Sequence, residues 1–350
     1  MHWKRGLIAA FALLSLIAVW DMVRSGPSSF GSILDQTAGQ IDWDAGGEPV
    51  RAPDYAHTVA LDPQEGVRSL VLDPTVGNLE IVPSETGAVS AAYTVRVWGS
   101  DRAEAVAREV QLKWERTGER LRLAVDRPER LPPGIQLLRL DVRLAVPQGV
   151  AVAATHRGSA SVRQIAGSLT LEHEGGSATV HGVQGAVTVK SRLSQVAVSE
   201  IAGDLTLEQS AGQMTVRAID GSVTAALHLG ELTIMGVRGG VDVRGNYGEV
   251  EIAAVEGNIK LDMTMGEASV SGLKQAGDLA VRFGDLEVKL AGEGGWTVDG
   301  LAEMGEIRSN VDLERRQRGS RTELRGTIGD GTYPLTIRVQ QGDAQLIQSW

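Results

Sequence analysis

Aspartate residues recur through the glycine-rich middle of the chain, but without the spacing that a periodic calcium site requires. Nonapeptide repeats that bind Ca²⁺ carry an aspartate at one fixed position, in the pattern GGxGxDxUx. Here most glycines are single, and the aspartates fall at different distances from them. They are Asp204, Asp220, Asp242, Asp262 and Asp278. We therefore expect neither calcium sites nor any other cofactor.

Charged residues spaced eighteen apart raise the question of polysaccharide cleavage, which β-helical enzymes perform with several carboxylates and a basic residue on one face. The outward column at this spacing alternates in sign. It consists of Glu172, Lys190, Glu208, Ala226, Arg244 and Asp262. Each exposed pair contributes only tenths of a kcal/mol, and no close pair of carboxylates for general acid–base catalysis is discernible. We expect a solvated face, with no catalytic residues.

The histidines could bind a metal ion only if the fold brought them together. We predict that they share no column, and that only His173 and His181 approach each other, across one corner. Beyond His2, the histidines are His57, His156, His173, His181 and His228. Two imidazoles alone do not complete a zinc site, so no metal site is expected.

One basic cluster stands out in an acidic chain, in the segment LERRQRGSR. It contains Arg315, Arg316, Arg318 and Arg321. The simplest interpretation is an exposed hairpin loop near the C-terminus. The functional alternative is contact with an anionic envelope polymer or a lipid headgroup.

These residues must be positioned by elements of regular spacing, because glycine returns at every ninth residue from Gly158 to Gly266, except at Ser194. Counted from each glycine, offsets two and four are apolar, as at Met214 and Val216, and the residue between them is mostly polar. This alternation predicts strands with one buried face. Glycine weakens a strand, so we interpret the glycines as corner residues where backbones approach closely.

The nine-residue units are of two alternating kinds, so the repeat is eighteen residues long. In one kind, offset seven is aliphatic, as at Ile201 and Ile219, and in the other it is polar, as at Ser210 and His228. Two strands and two corners per eighteen residues describe one rung of a flattened solenoid. The predicted fold class is all-β: a single-stack parallel β-solenoid (β-helix), preceded by one N-terminal transmembrane helix.

The regular repeats occupy residues 158–290, and the flanking segments are predicted to close the stack. Residues 61–157 alternate in short runs and are expected to form a β-rich N-terminal part and cap, with a hairpin turn at Thr117-Gly118. Residues 291–350 contain weaker copies of the repeat motif and are expected to form C-terminal rungs and a cap. Caps are needed because open sheet edges recruit other chains.

Residues 1–24 are predicted to anchor the chain in a membrane. Lys4 and Arg5 precede an apolar run from Gly6 to Trp20, which is fifteen residues long. A spanning helix needs about 17–25 residues, so a cleaved signal peptide and a buried helix remain alternatives. Residues 25–60, rich in Gly, Pro and Ser, are predicted to be a flexible linker. The basic residues would stay inside, which places the rest of the chain outside the cytoplasm, or secretes it after cleavage.

Composition excludes several classes of protein. The formal net charge of −10 argues against nucleic-acid binding, which needs a concentrated basic surface. The 350 residues contain 43 glycines and no cysteine, so disulfides and thiolate metal sites are excluded.

Two segments resemble a known bacterial family, the "putative adhesin" domain of unknown function. They are LAVPQGVAVAATHRGSASVRQIAGSLTLEHEGGSATV and PLTIRVQQGDAQLIQ, and the likeness extends over about residues 67–350. The resemblance implies a β-solenoid body, often behind an N-terminal membrane segment, and some members are linked with cell-envelope stress systems. The family has no agreed catalytic residues, so none is transferred.

The expected function is that of a non-enzymatic, membrane-tethered, adhesin-like interaction or envelope scaffold protein. Its expected partners are the cell membrane, through the N-terminal helix, and envelope polymers or another envelope protein. Two alternatives remain open: a polysaccharide-active β-helix enzyme, and a polymerising β-helical scaffold. Fold alone does not decide among them.

Overall fold

The structure is a computed structural model that describes residues 55–99, 102–128, 130, 133–292 and 294–348. The predicted anchor over residues 1–24 therefore lies outside the described residues, as does most of the predicted linker. Within the described ranges, no helix is both long and apolar enough to cross a membrane.

Strands make up nearly all of the regular structure, with a single short helix, α1 (Ala103–Glu109), among the described residues. The strands are β1 (Tyr55–Ala60), β2 (Ser69–Pro83), β3 (Ser90–Gly99), β4 (Gln111–Thr117), β5 (Arg120–Asp126), β6 (Ile135–Val146), β7 (Ala151–Arg163), β8 (Leu169–Glu174), β9 (Ser177–Val183), β10 (Val187–Arg192), β11 (Ser194–Ile201), β12 (Leu205–Gln209), β13 (Gly212–Ile219), β14 (Val223–Val237), β15 (Val241–Val255), β16 (Ile259–Leu273), β17 (Gly277–Phe283), β18 (Leu286–Leu290), β19 (Trp296–Met304), β20 (Ile307–Ser309), β21 (Glu314–Arg318), β22 (Arg321–Ile328), β23 (Tyr333–Gln341) and β24 (Ala344–Gln348).

In the middle of the chain, each coil lies directly on the next, in the register that an eighteen-residue repeat predicts. On one side, called the first face, Val187 of β10 pairs in parallel with Leu205 of β12. On the other side, the second face, Val196 of β11 pairs in parallel with Met214 of β13. The predicted all-β, parallel, solenoid-like fold is confirmed. Inward side chains at offsets two and four form the core, where Val216 has no exposed surface.

Two strands per coil is correct for β8 to β13 and for β17 and β18, whereas β2 and β7 each run through the corner as one strand. From β14 to β16, one fifteen-residue strand runs through the corner and supplies both faces. The ladder continues across the corner, where Gly230 pairs with Gly248. A corner residue without a side chain lets the backbones keep their pairing while the chain bends.

Steric contact explains the glycine column at this corner. Gly248 has φ of +137°, and a Cβ atom there would lie 1.8 Å from the carbonyl oxygen of Gly230 on the preceding coil. Glycines at the opposite corner lack positive φ but are equally crowded, since a Cβ atom on Gly239 would lie 2.6 Å from the oxygen of Gly221. In the positive-φ column, Ser194 stands in place of one glycine and keeps its side chain. The residue before it, Leu193, adopts the left-handed conformation instead, with φ of +54°.

The N-terminal end of the stack begins before the regular repeat. Strand β2 lies directly on β7, with Gly77 opposite Gly158, so one coil falls within residues 61–157. Between these strands the chain forms the antiparallel hairpin of β4 and β5, which turns at Gly118 as predicted. Strand β1 pairs antiparallel with β3, so the end of the segment 25–60 is an edge strand rather than linker. Val59 of β1 packs against the core, and this contact holds the strand on the sheet.

At the C-terminal end, the stacking order differs from the chain order. Strand β17 pairs with β23, and β23 pairs on its other side with β19. Similarly, β24 lies between β18 and β20. The last coil of the chain is therefore inserted between two earlier ones, which a successive stack would not predict. Strand β22 forms a hairpin with β21 and also pairs antiparallel with β19. The chain therefore runs back along β19 before it enters β23.

Candidate interaction surface

The predicted basic cluster lies on the hairpin of β21 and β22, at the edge of the sheet. Every residue of β21 is exposed, and a charged edge strand resists pairing with other chains. Arg315 lies 3.6 Å from Glu306, Arg316 lies 2.7 Å from Glu314, and Arg321 lies 3.1 Å from Glu323. Arg318 forms no ion pair within the described residues. Contact with an anionic polymer stays a prediction, at a site whose charges are already largely paired.

The alternating charged column is assembled as the spacing predicts. On the first face, Lys190 pairs in register with Glu172 on one side and Glu208 on the other, and its Nζ lies 3.1 Å from a carboxylate oxygen of Glu208. Both side chains of that ion pair are about half exposed. A groove of about 540 Å³ runs beside the column, where Arg157 lies 2.6 Å from Glu174. Within the column Glu208 is thus paired with a basic residue, and beside it Glu174 is paired with Arg157.

Two histidines share a column, contrary to prediction. His156 and His173 pair across β7 and β8, with ring centroids 6.0 Å apart and planes inclined by 20°. Between these strands the register is seventeen residues, since Val152 lies opposite Leu169, so counting by eighteen misses the pair. His181 instead contacts Ser199, at 3.1 Å. Among the described residues, no group of three potential ligands could hold a metal ion.

His156 is a neutral, fully bonded core residue. Its Nε2 lies 3.1 Å from the carbonyl oxygens of Gly77 and Ser159, and its Nδ1 lies 2.9 Å from the hydroxyl of Thr75. Carbonyl oxygens only accept, so Nε2 donates and Nδ1 accepts from the hydroxyl. Burial, and then the neighbouring His173, lower the pKa of His156 to about 4. Burial also lowers the pKa of His173. The pair belongs to the core.

The most distinctive surface feature is a row of exposed apolar side chains, which we call the apolar ridge. Each residue directly precedes a corner glycine of the positive-φ column. Their exposed fractions lie between 40% and 56%, although the side chains are large and hydrophobic. The ridge consists of Leu229, Tyr247, Met265, Phe283 and Met304. Contiguous exposed apolar surface of this kind marks sites of interaction.

Strand register makes the ridge continuous from Leu229 to Phe283, and one polar position separates Met304 from these residues. Tyr247 lies opposite Leu229 on one side and Met265 on the other, and Met265 lies opposite Phe283. Gln341 of the inserted coil follows Phe283 and precedes Met304. Neighbouring strands lie about 4.8 Å apart, so five such steps extend the ridge over about 24 Å.

An acidic row runs parallel to the ridge, on the other side of the glycine column. It consists of Glu231, Glu249 and Glu267, each directly after a corner glycine. All three are exposed and stacked in register, and none forms an ion pair with another described residue. The amide of Gln213 donates a hydrogen bond of 2.7 Å to Glu231. Like charges directly opposite each other are unfavourable, so the row favours a cationic neighbour.

Sequence reasoning missed this surface, although the signal was present. The signal lies outside offsets two, four and seven, at the residue that directly precedes each glycine. In the later repeats that residue is large and apolar, and the residue after the glycine is acidic.

Comparisons with known proteins agree with the fold. The family described as Toastrack DUF4097 matches residues 67–346. No curated protein matches the chain. A "putative adhesin" from Bacteroides fragilis is 13% identical with a TM-score of 0.33, and covers 84% of this chain and 97% of its own. A "putative lipid binding protein" from Parabacteroides distasonis is 13% identical with a TM-score of 0.37, at the same coverage. A "putative cell adhesion protein" from Clostridium sporogenes is 13% identical with a TM-score of 0.22, and covers 85% of this chain and 100% of its own.

These TM-scores lie below 0.5, so no conclusion about fold or function rests on them. The family match, in contrast, spans far more than half of the chain, and it agrees with the resemblance found in the repeats. The chain belongs to the Toastrack DUF4097 family.

Proposed function

We propose that this protein is a non-enzymatic, adhesin-like interaction protein of the bacterial cell envelope, and that the apolar ridge is its binding surface. Residues 1–24 tether it to the membrane, and the solenoid presents the ridge outside the cytoplasm. The observation that carries the proposal is the stacking of large apolar side chains along one corner, at about half exposure.

Energetics support this role. Completing the burial of five half-exposed large side chains contributes on the order of 5 kcal/mol before the costs of association. The backbone beneath them is paired in register on consecutive coils. A rigid platform keeps the ordering cost of binding small, because the surface is already arranged before the partner arrives.

Replacing the ridge by small polar residues is expected to abolish binding without unfolding the protein. The ridge variant carries Tyr247→Ser, Met265→Ser and Phe283→Ser. The full chain of each protein is labelled and solubilised. We expect the ridge variant to bind isolated cell envelopes at least ten-fold less than the wild type does. The physical reason is that only exposed apolar area is lost, while the core stays intact. Co-sedimentation with the envelopes measures binding, and circular dichroism checks the fold.

A matched control changes the same three coils on the first face. Asp242, Lys260 and Asp278 pair in register there, and the control variant replaces each by serine. We expect its binding to stay within two-fold of the wild type. Equal binding by the ridge variant and the wild type would refute the proposed surface.

A further inference from the structure

The ridge and the acidic row together describe the chemistry of a partner. Resting on the proposed function, we infer that the ridge binds a cationic amphipathic α-helix of a partner protein, which lies lengthwise along the solenoid. Its apolar face covers the ridge, and basic residues on one flank meet the acidic row. Three observations carry this inference: the spacing of the ridge, the charge on one side of it, and its length.

The spacing of the ridge suits a helix. From Leu229 to Phe283, apolar side chains on the ridge recur about every 4.8 Å, the distance between neighbouring strands. One face of an α-helix presents a side chain about every 5.4 Å, so a helix aligned with the ridge drifts by only about 0.6 Å per coil and keeps one residue per coil over these four coils. An extended peptide presents same-side residues about every 6.6 Å and loses this match within two coils. A ridge of about 24 Å corresponds to about 16 helical residues, at 1.5 Å per residue.

Charge selects a helix that is basic on one flank. The acidic row stacks Glu231, Glu249 and Glu267 at the same coil spacing, without a basic partner among the described residues. The opposite side of the ridge is not acidic in these coils, and there the amide of Asn246 lies 3.0 Å from His228. Lysine or arginine residues repeated once per helical turn would therefore meet one carboxylate on each coil.

The same charges disfavour the other occupants of an apolar ridge. In a second copy of this chain packed ridge to ridge, two acidic surfaces would lie close together, and like charges oppose that association. An anionic bilayer surface would be repelled by the row for the same reason. Both occupants are outcomes of the test below.

The test uses two synthetic 18-residue helical peptides with the same leucine face. One carries lysine on the flank and the other carries glutamate. Binding to the full chain in nonionic detergent is measured by fluorescence anisotropy, with the signal of empty micelles subtracted. Three variants accompany the wild type: the ridge variant, the first-face control variant, and an acidic-row variant. The last carries Glu231→Gln, Glu249→Gln and Glu267→Gln.

We expect the lysine peptide to bind the wild type at least ten-fold more tightly than the glutamate peptide, with an affinity that falls as salt is raised. The acidic-row variant should lose at least ten-fold in affinity for the lysine peptide, and the control variant should lose less than two-fold. The ridge variant should lose binding of both peptides. Unchanged melting temperatures would show that these exposed substitutions leave the fold intact.

Other outcomes overturn the inference, and they separate it from the proposed function. Equal binding of both peptides, lost only in the ridge variant, would reject the cationic helix but keep the ridge as the binding surface. Ridge-dependent binding to vesicles of phosphatidylcholine with anionic phosphatidylglycerol, or ridge-dependent dimers in sedimentation, without peptide binding, would reject the helix in favour of lipid or a second copy. If the ridge variant also binds cell envelopes as the wild type does, the proposed function fails as well.

Discussion

Replacing Gly248 by alanine is expected to destabilise the solenoid by on the order of 3–5 kcal/mol. The new Cβ atom would lie 1.8 Å from the carbonyl oxygen of Gly230, which belongs to the backbone of the neighbouring coil and cannot rotate away. The φ of +137° is also unfavourable for any side chain. The backbone hydrogen bonding of this coil to both neighbouring coils must therefore be disrupted. Chemical denaturation of the wild type and the variant measures the loss.

The matched control is Gly118→Ala, in the turn between β4 and β5. Gly118 also has positive φ, at +61°, but a Cβ atom there would have no neighbour within 4 Å. This substitution isolates the conformational cost, which is about 1–2 kcal/mol. If Gly248→Ala cost no more than Gly118→Ala, the close approach of backbones at the corner would be disproved.

Acidification is expected to weaken the N-terminal coils through His156. Its pKa is about 4 in the folded protein, and 6.5 is the ordinary value for an exposed histidine. The unfolded chain therefore binds the proton first as pH falls, so the contribution is complete above pH 6.5 and is lost between pH 6.5 and pH 4. From pH 7 to pH 5 the loss from this one group is about 2 kcal/mol. Most carboxylates are still ionised at pH 5.

Other groups around the His156 ring also shift its pKa, but together they leave it below the ordinary value. His173 stacks on the ring and lowers the pKa of His156 further, whereas Asp141 and the two carbonyl hydrogen bonds raise it. Denaturation at pH 7 and pH 5 is compared between the wild type and His156→Gln, which cannot titrate at this position. We expect a smaller pH dependence in the variant by about 2 kcal/mol. The same pH dependence in both proteins would show that this histidine is not the titrating group.

The sequence predicts the middle of this fold well, because the signal there is local. Alternation around Val196 and Met214 defines the buried face, and the repeat length defines which residues pair. A strict period leaves few other ways to bury the apolar side chains. The corner role of the glycines follows from the same spacing, and the structure adds that only one of the two columns needs positive φ.

The ends of the stack could not be predicted, because they depend on contacts between distant segments. Nothing local to β23 indicates that it enters between β17 and β19, since all three carry similar apolar alternation. The register of seventeen residues that brings His156 onto His173 likewise depends on how β7 meets β8. Periodicity predicts stacking within a repeat, but it does not predict the order of irregular coils.

The candidate surface depends on the same glycines as the fold. Because Gly248 has no side chain, the coils stay paired through the corner, and Tyr247 and Glu249 are both exposed there. Repetition on successive coils then turns single exposed residues into an apolar ridge and an acidic row. The proposed binding surface and the stability of the stack therefore share one structural cause at this corner.

In-register stacking aligns Leu229, Tyr247, Met265 and Phe283, and the inserted last coil places Gln341 between Phe283 and Met304. Disulfide cross-linking tests this arrangement directly, since the chain has no native cysteine. Cysteines at Phe283 and Gln341 lie one strand spacing apart, within the usual Cα separation of about 4.4–6.8 Å for a disulfide. Cysteines at Phe283 and Met304 lie two spacings apart, at about 9.6 Å.

Mass spectrometry after mild oxidation measures whether each pair has closed. We expect Phe283→Cys with Gln341→Cys to form an intramolecular disulfide, and Phe283→Cys with Met304→Cys to stay reduced. A disulfide in the second pair and none in the first would mean that the coils follow chain order, and it would contradict the stack described above.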